Sequence, residues 1–487
     1  MKKLRKYCII VLIVGLFLYI KDTKSKYVLD YKYNLDTNIS IDKIPPKICV
    51  IDKNLDVINN IAIEAASIEY SDELSGIKSA TWKYNFASDN FDEVSSNQLE
   101  SNTVFKNKGW YKIEVEDNAE NKNEKIFYLD LAVCRIEERY YRKLKDAIND
   151  IKSSKETTIT ILKDIKENSN ITTNKNIVID LANNTINGNI RIENKACLKV
   201  KNGKIENQES VFDVTGNLKI INGEYKSDQG DAIQVSDGSV YIEDGVITAD
   251  NGNSISINSG EVIINNGIVN NTGLGEIIHM KNGILTMNSG KLINTGINAG
   301  IYIEEGTANL NGGHIIHTET SACDIIALGS KAVLNVNGAI IENNTTSTEG
   351  WACIASGGTV RINSGEIRNT KYGRAIYSYN GILEIKDGNI SNSTANNMIT
   401  VDSYGKLVMQ GGYIISKSDV CTLSTYGNSN IYGGSIINYG KGDALRINSG
   451  SANISGGNFE AKEGYAIYKS DGECNVSNAT IIGRTLY

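Results

Sequence analysis

The sequence predicts an all-β protein: a right-handed parallel β-helix of about fourteen coils, with an N-terminal capping helix and a separate β-sandwich ahead of it. Three observations carry this. Glycines seven residues apart recur ten times between Gly216 and Gly457, in units of about 22 to 24 residues. Each unit holds three short segments in which apolar residues alternate with polar ones, the period of a strand rather than a helix. The two-to-six-residue turns between those segments are too short for crossover helices. A fixed period of this length marks a solenoid, and strands joined this tightly stack as coils, right-handed by the usual sterics.

The chain opens with Lys2, Lys3, Arg5 and Lys6, followed by an apolar run from Tyr7 to Ile20. A basic stretch before so short an apolar run reads as an export signal and is short for a bilayer span. Lys21-Asp22-Thr23-Lys24 follows instead of a small-x-small cleavage site, so a cleaved signal and a retained membrane anchor both stay open over residues 1–20. Cys8 falls too early for a lipoprotein signal. The expected location is secreted or cell-surface, with membrane contact only through this segment. Residues 21–46 are polar and aperiodic and read as a linker.

Over residues 47–132 the pattern changes to separate short strands. They are expected at Ile61–Ala65, Ala80–Tyr84, Trp110–Val115 and Ile126–Leu129, with turn residues between, as in an antiparallel β-sandwich. Asp72-Glu73-Leu74-Ser75-Gly76-Ile77, Gly109-Trp110-Tyr111 and Glu116-Asp117-Asn118-Ala119-Glu120-Asn121 resemble bacterial surface immunoglobulin-like modules. That resemblance implies a spacer or adhesion unit without catalysis.

Residues 133–155 are expected to hold the cap. Arg135 to Ile151 reads as an amphipathic helix with Leu144, Ala147, Ile148 and Ile151 on one face. Placed before the first coil, it would cover the open end of the stack, the edge most prone to aggregation.

The β-helix takes residues 156–487. Inward positions on the first strand run Leu218, Val240, Val262, Leu285, Ala308, then Val360 to Ala452, and on the second Tyr225, Ile247, Val269 through Phe459. Five or six inward side chains per coil give about 10 kcal/mol of gross burial, most of it offset by chain entropy. The glycines suit corners that need positive φ or leave no room for a Cβ. Asn265, Asn288, Asn311 and Asn363, each five residues after a first glycine, suit an asparagine ladder. One coil, between Gly338 and Gly365, is expected to be long, with its excess in a polar loop from Glu342 to Trp351. Pro45 and Pro46 both lie outside the stack. Leu144-Lys145-Asp146-Ala147-Ile148-Asn149-Asp150-Ile151, Thr158 to Leu162 and Ile177 to Ile186 resemble the opening of the pectin-lyase-like β-helix superfamily. The resemblance implies the fold; that superfamily holds lyases, hydrolases, tail spikes and adhesins alike.

A net charge of −7 with Lys and Arg dispersed argues against a nucleic-acid partner. None of the eight cysteines forms a C-x-x-C pair, which argues against zinc. Cys353 occupies an inward position; Cys49 and Cys134 bracket the sandwich, a bridge between them being the minor alternative to free thiols.

Candidate chemistry is sparse. Lys226, Asp228, Asp231 and Asp250 form a loose acidic set, but Asp231 recurs as Asp443 in a matching Gly-Asp-Ala turn, which favours a turn role over calcium. Arg361 and Glu384 should make an ion-pair rung, and Arg361, Arg368 and Arg374 gather in one coil. His279, His314 and His317 do not make a metal set, and no cofactor is expected. Aromatics are the better signal. The outward third-strand position carries Gln234, Ser256, His279, Tyr302, Tyr377 and, after two irregular coils, Arg446 and Tyr468. Tyr302, Tyr377, Tyr468 and Arg446 are the candidate binding residues, for glycans or for host or cell-surface proteins; plain outward strand residues are the blander alternative. The expected function is non-catalytic adhesion or glycan binding, with a polysaccharide lyase or glycoside hydrolase acting on an acidic polysaccharide as the alternative.

Overall fold

The computed structural model describes residues 42–487 except 53–54, 57–64, 102, 319–322, 347–350 and 393–397. The export segment, the linker up to residue 41 and residues 61–64 of the first expected sandwich strand lie outside the described residues. Among the described residues no helix is long and apolar enough to cross a membrane.

Parallel strands stack from Thr157–Ile161 onward into a β-solenoid of about 14 turns. On the first strands Leu198, Leu218, Val240, Val262, Leu285, Ala308, Leu334, Val360, Leu383 and Leu407 follow one another in register. All are buried in a single apolar cluster running from Cys134 to Ile467. Where the column turns polar, at Ser429, the hydroxyl meets Thr425 Oγ1 at 2.9 Å inside the coil.

Leu334 belongs to a coil that the glycine spacing hides. Gly306 pairs with Ala332, and His314 pairs with Ile340, which puts Ala339 opposite Gly313. There are therefore two long coils rather than one: the steps from Ile315 to Ile341 and from Ile341 to Ile367 both span 26 residues. Glu342, assigned to the loop from sequence, instead lies within the strand Ile326–Asn343.

The paired glycines answer two different demands. All ten second glycines, Gly223 to Gly457, have positive φ, a conformation that L side chains avoid. Half of the first glycines do not, and there the demand is steric: a Cβ on Gly427 would lie 2.2 Å from the Gly405 carbonyl oxygen of the coil beneath.

Two asparagine ladders run along the corners. The expected exposed one is present, and Asn337 of the hidden coil completes it. Nδ2-to-Oδ1 bonds of 2.8, 2.9, 2.8 and 2.7 Å link Asn265, Asn288, Asn311, Asn337 and Asn363 in turn. The second ladder is internal: Asn271, Asn294, His317, Asn343, Asn369, Asn392, Ser416 and Asn438 stack in register, all buried. Asn271 Nδ2 donates to the Gly252 carbonyl at 2.8 Å, and its Oδ1 accepts the Gly273 N–H at 3.1 Å. The row thus satisfies corner backbone groups that the turns leave without a ladder partner. His317 replaces an amide in it, receiving Asn294 Nδ2 on Nε2 at 3.1 Å.

The expected helix is shorter than Arg135–Ile151. Cys134–Ile136 and Arg139–Tyr141 form an antiparallel hairpin turned at Glu137, whose φ is +50°, and Arg135 and Cys134 also pair with Thr160 and Ile161. Only Leu144–Asp150 is helical, with Leu144, Ala147 and Ile148 buried in the solenoid's cluster. The Glu167 carboxylate accepts the Leu144 and Lys145 N–H groups, both at 2.9 Å, which fixes where the helix starts.

Ahead of the hairpin lie two four-stranded antiparallel sheets. One orders Leu55–Asp56, Lys47–Asp52, Ala66–Ser71 and Val104–Phe105; the other orders Asn97–Gln98, Ile77–Asn85, Gly109–Asp117 and Lys122–Leu129. Ile48, Ile68, Tyr111, Ile113 and Phe127 share a cluster separate from the solenoid's. Cys49 and Cys134 are both free thiols, so no bridge joins the two units.

Two outcomes follow for stability. Gly427→Ala should lower the unfolding free energy by about 1–3 kcal/mol in urea titrations, because the new methyl meets backbone rather than a flexible side chain. Burial pushes the His317 pKa down to about 3, against an ordinary value near 6.5. The unfolded chain therefore takes up this proton first, and stability is lost as pH falls from about 6.5 toward 3. His317→Asn should remove that loss, so that the fall in urea midpoint between pH 7.5 and pH 4 shrinks by the equivalent of about 3 kcal/mol relative to wild type.

Candidate binding face

Strand pairing fixes the outward row of the third strands. It runs Gln234, Ser256, His279, Tyr302, Ala327, Ala355, Tyr377, Thr400, Ser424, Arg446, Tyr468. All four candidate residues lie on it. With coils about 4.8 Å apart, Tyr302 and Tyr377 stand three coils or about 14 Å apart, as do Tyr377 and Arg446. The intervening residues are small: Ala327 and Ala355 on one side of Tyr377, Thr400 and Ser424 on the other.

Each large residue sits in its own cluster. The Tyr302 ring meets His279 edge-on at 5.3 Å, and His279 Nε2 lies 3.1 Å from Glu304 Oε1. The Glu276 carboxylate beside His279 raises the imidazole pKa, and Glu304 adds to the effect. Tyr377 donates its hydroxyl to Asp402 Oδ2 at 3.0 Å while Arg374 lies over its ring, 5.0 Å from the centroid. Burial, then Asp402, raises the Tyr377 pKa. Tyr379 crosses two coils to donate to the Leu328 carbonyl at 2.9 Å, lying over Gly357, where a Cβ would come within 2.8 Å of the ring.

At the C-terminal end Arg446 stacks over Tyr468 at 5.0 Å, with Tyr465 beside it and Arg484 over Tyr465 at 5.0 Å. Arg446 also donates from Nε and a terminal nitrogen to Asp443 Oδ2 at 2.8 and 2.7 Å. Its charge is therefore largely matched within the protein. Asp443 Oδ1 accepts the Tyr465 N–H at 2.9 Å, and Asp231 likewise accepts the Asn253 N–H at 2.8 Å. The turn role expected for both aspartates is what the geometry gives.

The other tyrosines of the C-terminal half do not join this row. Tyr413 begins a second strand, Tyr432 follows a first strand, Tyr372 and Tyr439 follow second strands, and Tyr404 and Tyr426 occupy the corner after the third. Tyr404, 82% exposed, projects furthest. Crowding along the sequence becomes dispersal around the coil.

The remaining candidates separate. Lys226 pairs with Asp228 at 2.9 Å and Asp250 at 3.5 Å, a surface pair rather than a metal cage. Arg361 and Glu384 form the expected rung at 3.1 Å, worth under about 1 kcal/mol at this exposure. His279, His314 and His317 stand on a third strand, a second strand and an inner corner, so they share no ligand position. Among the described residues one carboxylate group has metal-ligand spacing: Asp42, Asp72 and Asp117, with oxygens within 4.8 Å of one another. Asp72 Oδ2 accepts the Leu74, Ser75 and Gly76 N–H groups, and Asp117 Oδ1 accepts those of Ala119 and Asn121. These bonds give Asp72 and Asp117 turn-capping roles of their own. No protein-family model, curated protein or solved structure matches the chain.

Proposed function

We propose that the chain is an exported surface protein whose β-helix binds glycans without altering them, through the outward row of its third strands. The observation that carries this reading is the register that lines up Tyr302, Tyr377, Arg446 and Tyr468. Tyrosine offers a sugar ring a flat apolar face and a hydroxyl, and an extended glycan lying along the stack would meet one cluster after another. In this reading the pectin-lyase-like fold is a scaffold, and Leu144–Asp150 closes its first coil. The two-sheet unit is an immunoglobulin-like spacer, which the Asn118 Nδ2 bonds to the Ser75 and Gly76 carbonyls support by tying the two motif turns together. The basic and apolar start of the chain supports export.

A polysaccharide lyase or glycoside hydrolase is the second reading, and Asp324 favours it. This half-buried carboxyl accepts the Ala352 N–H at 2.7 Å, and burial raises its pKa against the opposing Arg374 charge. Release of unsaturated uronides or new reducing ends, abolished by Asp324→Asn, would establish the enzyme.

Binding to immobilised glycans should be saturable and leave no product. Tyr377→Ala should weaken it about fivefold to tenfold, whereas Tyr413→Ala, on another side of the coil, should not. Absence of binding across a broad glycan array would overturn the reading.

A further inference from the structure

Three arginines gather in one coil, and two are matched by carboxylates. Arg361 pairs with Glu384 at 3.1 Å; Arg368 pairs with Glu342 and, at 3.2 Å, with Glu366. Arg374 differs. Among the described residues no carboxylate lies within 4.0 Å of its guanidinium, and its Nε is buried without a hydrogen-bond partner. Its orientation comes instead from stacking on Tyr377 at 5.0 Å. Asp324 is near enough for the charges to interact but not to pair.

The outward positions next to it are small. Toward Tyr302 the outward row carries only the methyl groups of Ala327 and Ala355, between the rings of Tyr302 and Tyr377. Tyr379, folded back to Leu328, bounds the side nearer the next corner. A planar guanidinium held by an aromatic face, with no carboxylate of its own to pair with among the described residues, is pre-oriented to offer its terminal nitrogens to two oxygens of one anionic group.

We propose that Arg374 is the anion-recognising residue of this face, receiving the carboxylate or sulfate of an acidic sugar whose ring lies between Tyr302 and Tyr377. The proposal rests on the glycan-binding reading and adds the ligand's charge and the residue that reads it. The chain carries a net charge of −7, so a polyanion is repelled at long range and has to be held by a local cation.

The test compares polygalacturonate, dextran sulfate and neutral dextran as probes, with wild type, Arg374→Gln, Arg374→Lys and Arg361→Gln. Wild type should bind at least one acidic polymer about tenfold or more tighter than dextran, with affinity falling as salt rises. Arg374→Gln should lose about tenfold for that polymer and leave dextran unchanged. Arg374→Lys should recover part of the loss, keeping the charge without the fork, and Arg361→Gln should match wild type. Preference for polygalacturonate names carboxylate as the group, and preference for dextran sulfate names sulfate. Acidic binding that survives Arg374→Gln, or equal wild-type binding of all three polymers, would overturn the proposal while leaving the glycan reading standing. Failure of wild type to bind any glycan would overturn both. Unchanged thermal melting shows that Arg374→Gln is folded; were it not, the Arg374→Lys loss relative to wild type carries the test.

Discussion

Everything in the solenoid depends on coils stacking in register. A single coil of Ile, Val and Leu cannot bury its own apolar residues; the coils on either side do it, and the inward columns become one cluster from Cys134 to Ile467. That constraint reaches the surface as well. Because inward residues of adjacent coils must coincide, outward ones do too, and Tyr302, Tyr377, Arg446 and Tyr468 share a line although up to 166 residues separate them in sequence.

The corners are where stacking costs most, because turn backbone leaves the ladder and must find other partners. Positive-φ glycines let the chain turn, and the buried row from Asn271 to Asn438 supplies the missing donors and acceptors. His317 in that row is a buried base where an amide would serve, and acid is expected to weaken the stack there. The same middle region holds both long coils and, on its third face, Asp324 and Arg374.

The repeat was legible because its signal is local: period-two alternation and glycines seven apart survive in nearly every unit. It failed where alanine stands at the glycine positions, Ala332 and Ala339, which hid one coil and merged two long ones into a single irregularity. Arg135–Tyr141 was read as helix because alternation over three-residue strands is too brief to register, and only the pairing of Cys134 with Ile161 decides it. The exposed asparagine ladder could be read from a fixed offset. The buried one was missed, although its members lie two residues beyond the inward position of the second strand, as Asn271 does beyond Val269. The binding row was legible in part. Its aromatic members stood out, whereas Ala327 and Ala355 carry no signal of their own, and the unpaired state of Arg374 is visible only once the partners of Arg361 and Arg368 are known.

The most direct test of the account is a distance between spin labels placed at Tyr302 and Tyr468 by chemistry that spares the native thiols. Seven coil steps of about 4.8 Å put the backbone sites about 34 Å apart, and the account predicts a single narrow distribution near that value. A broad distribution, or a separation below about 20 Å, would mean that these segments do not pile up one above another and that the face does not exist.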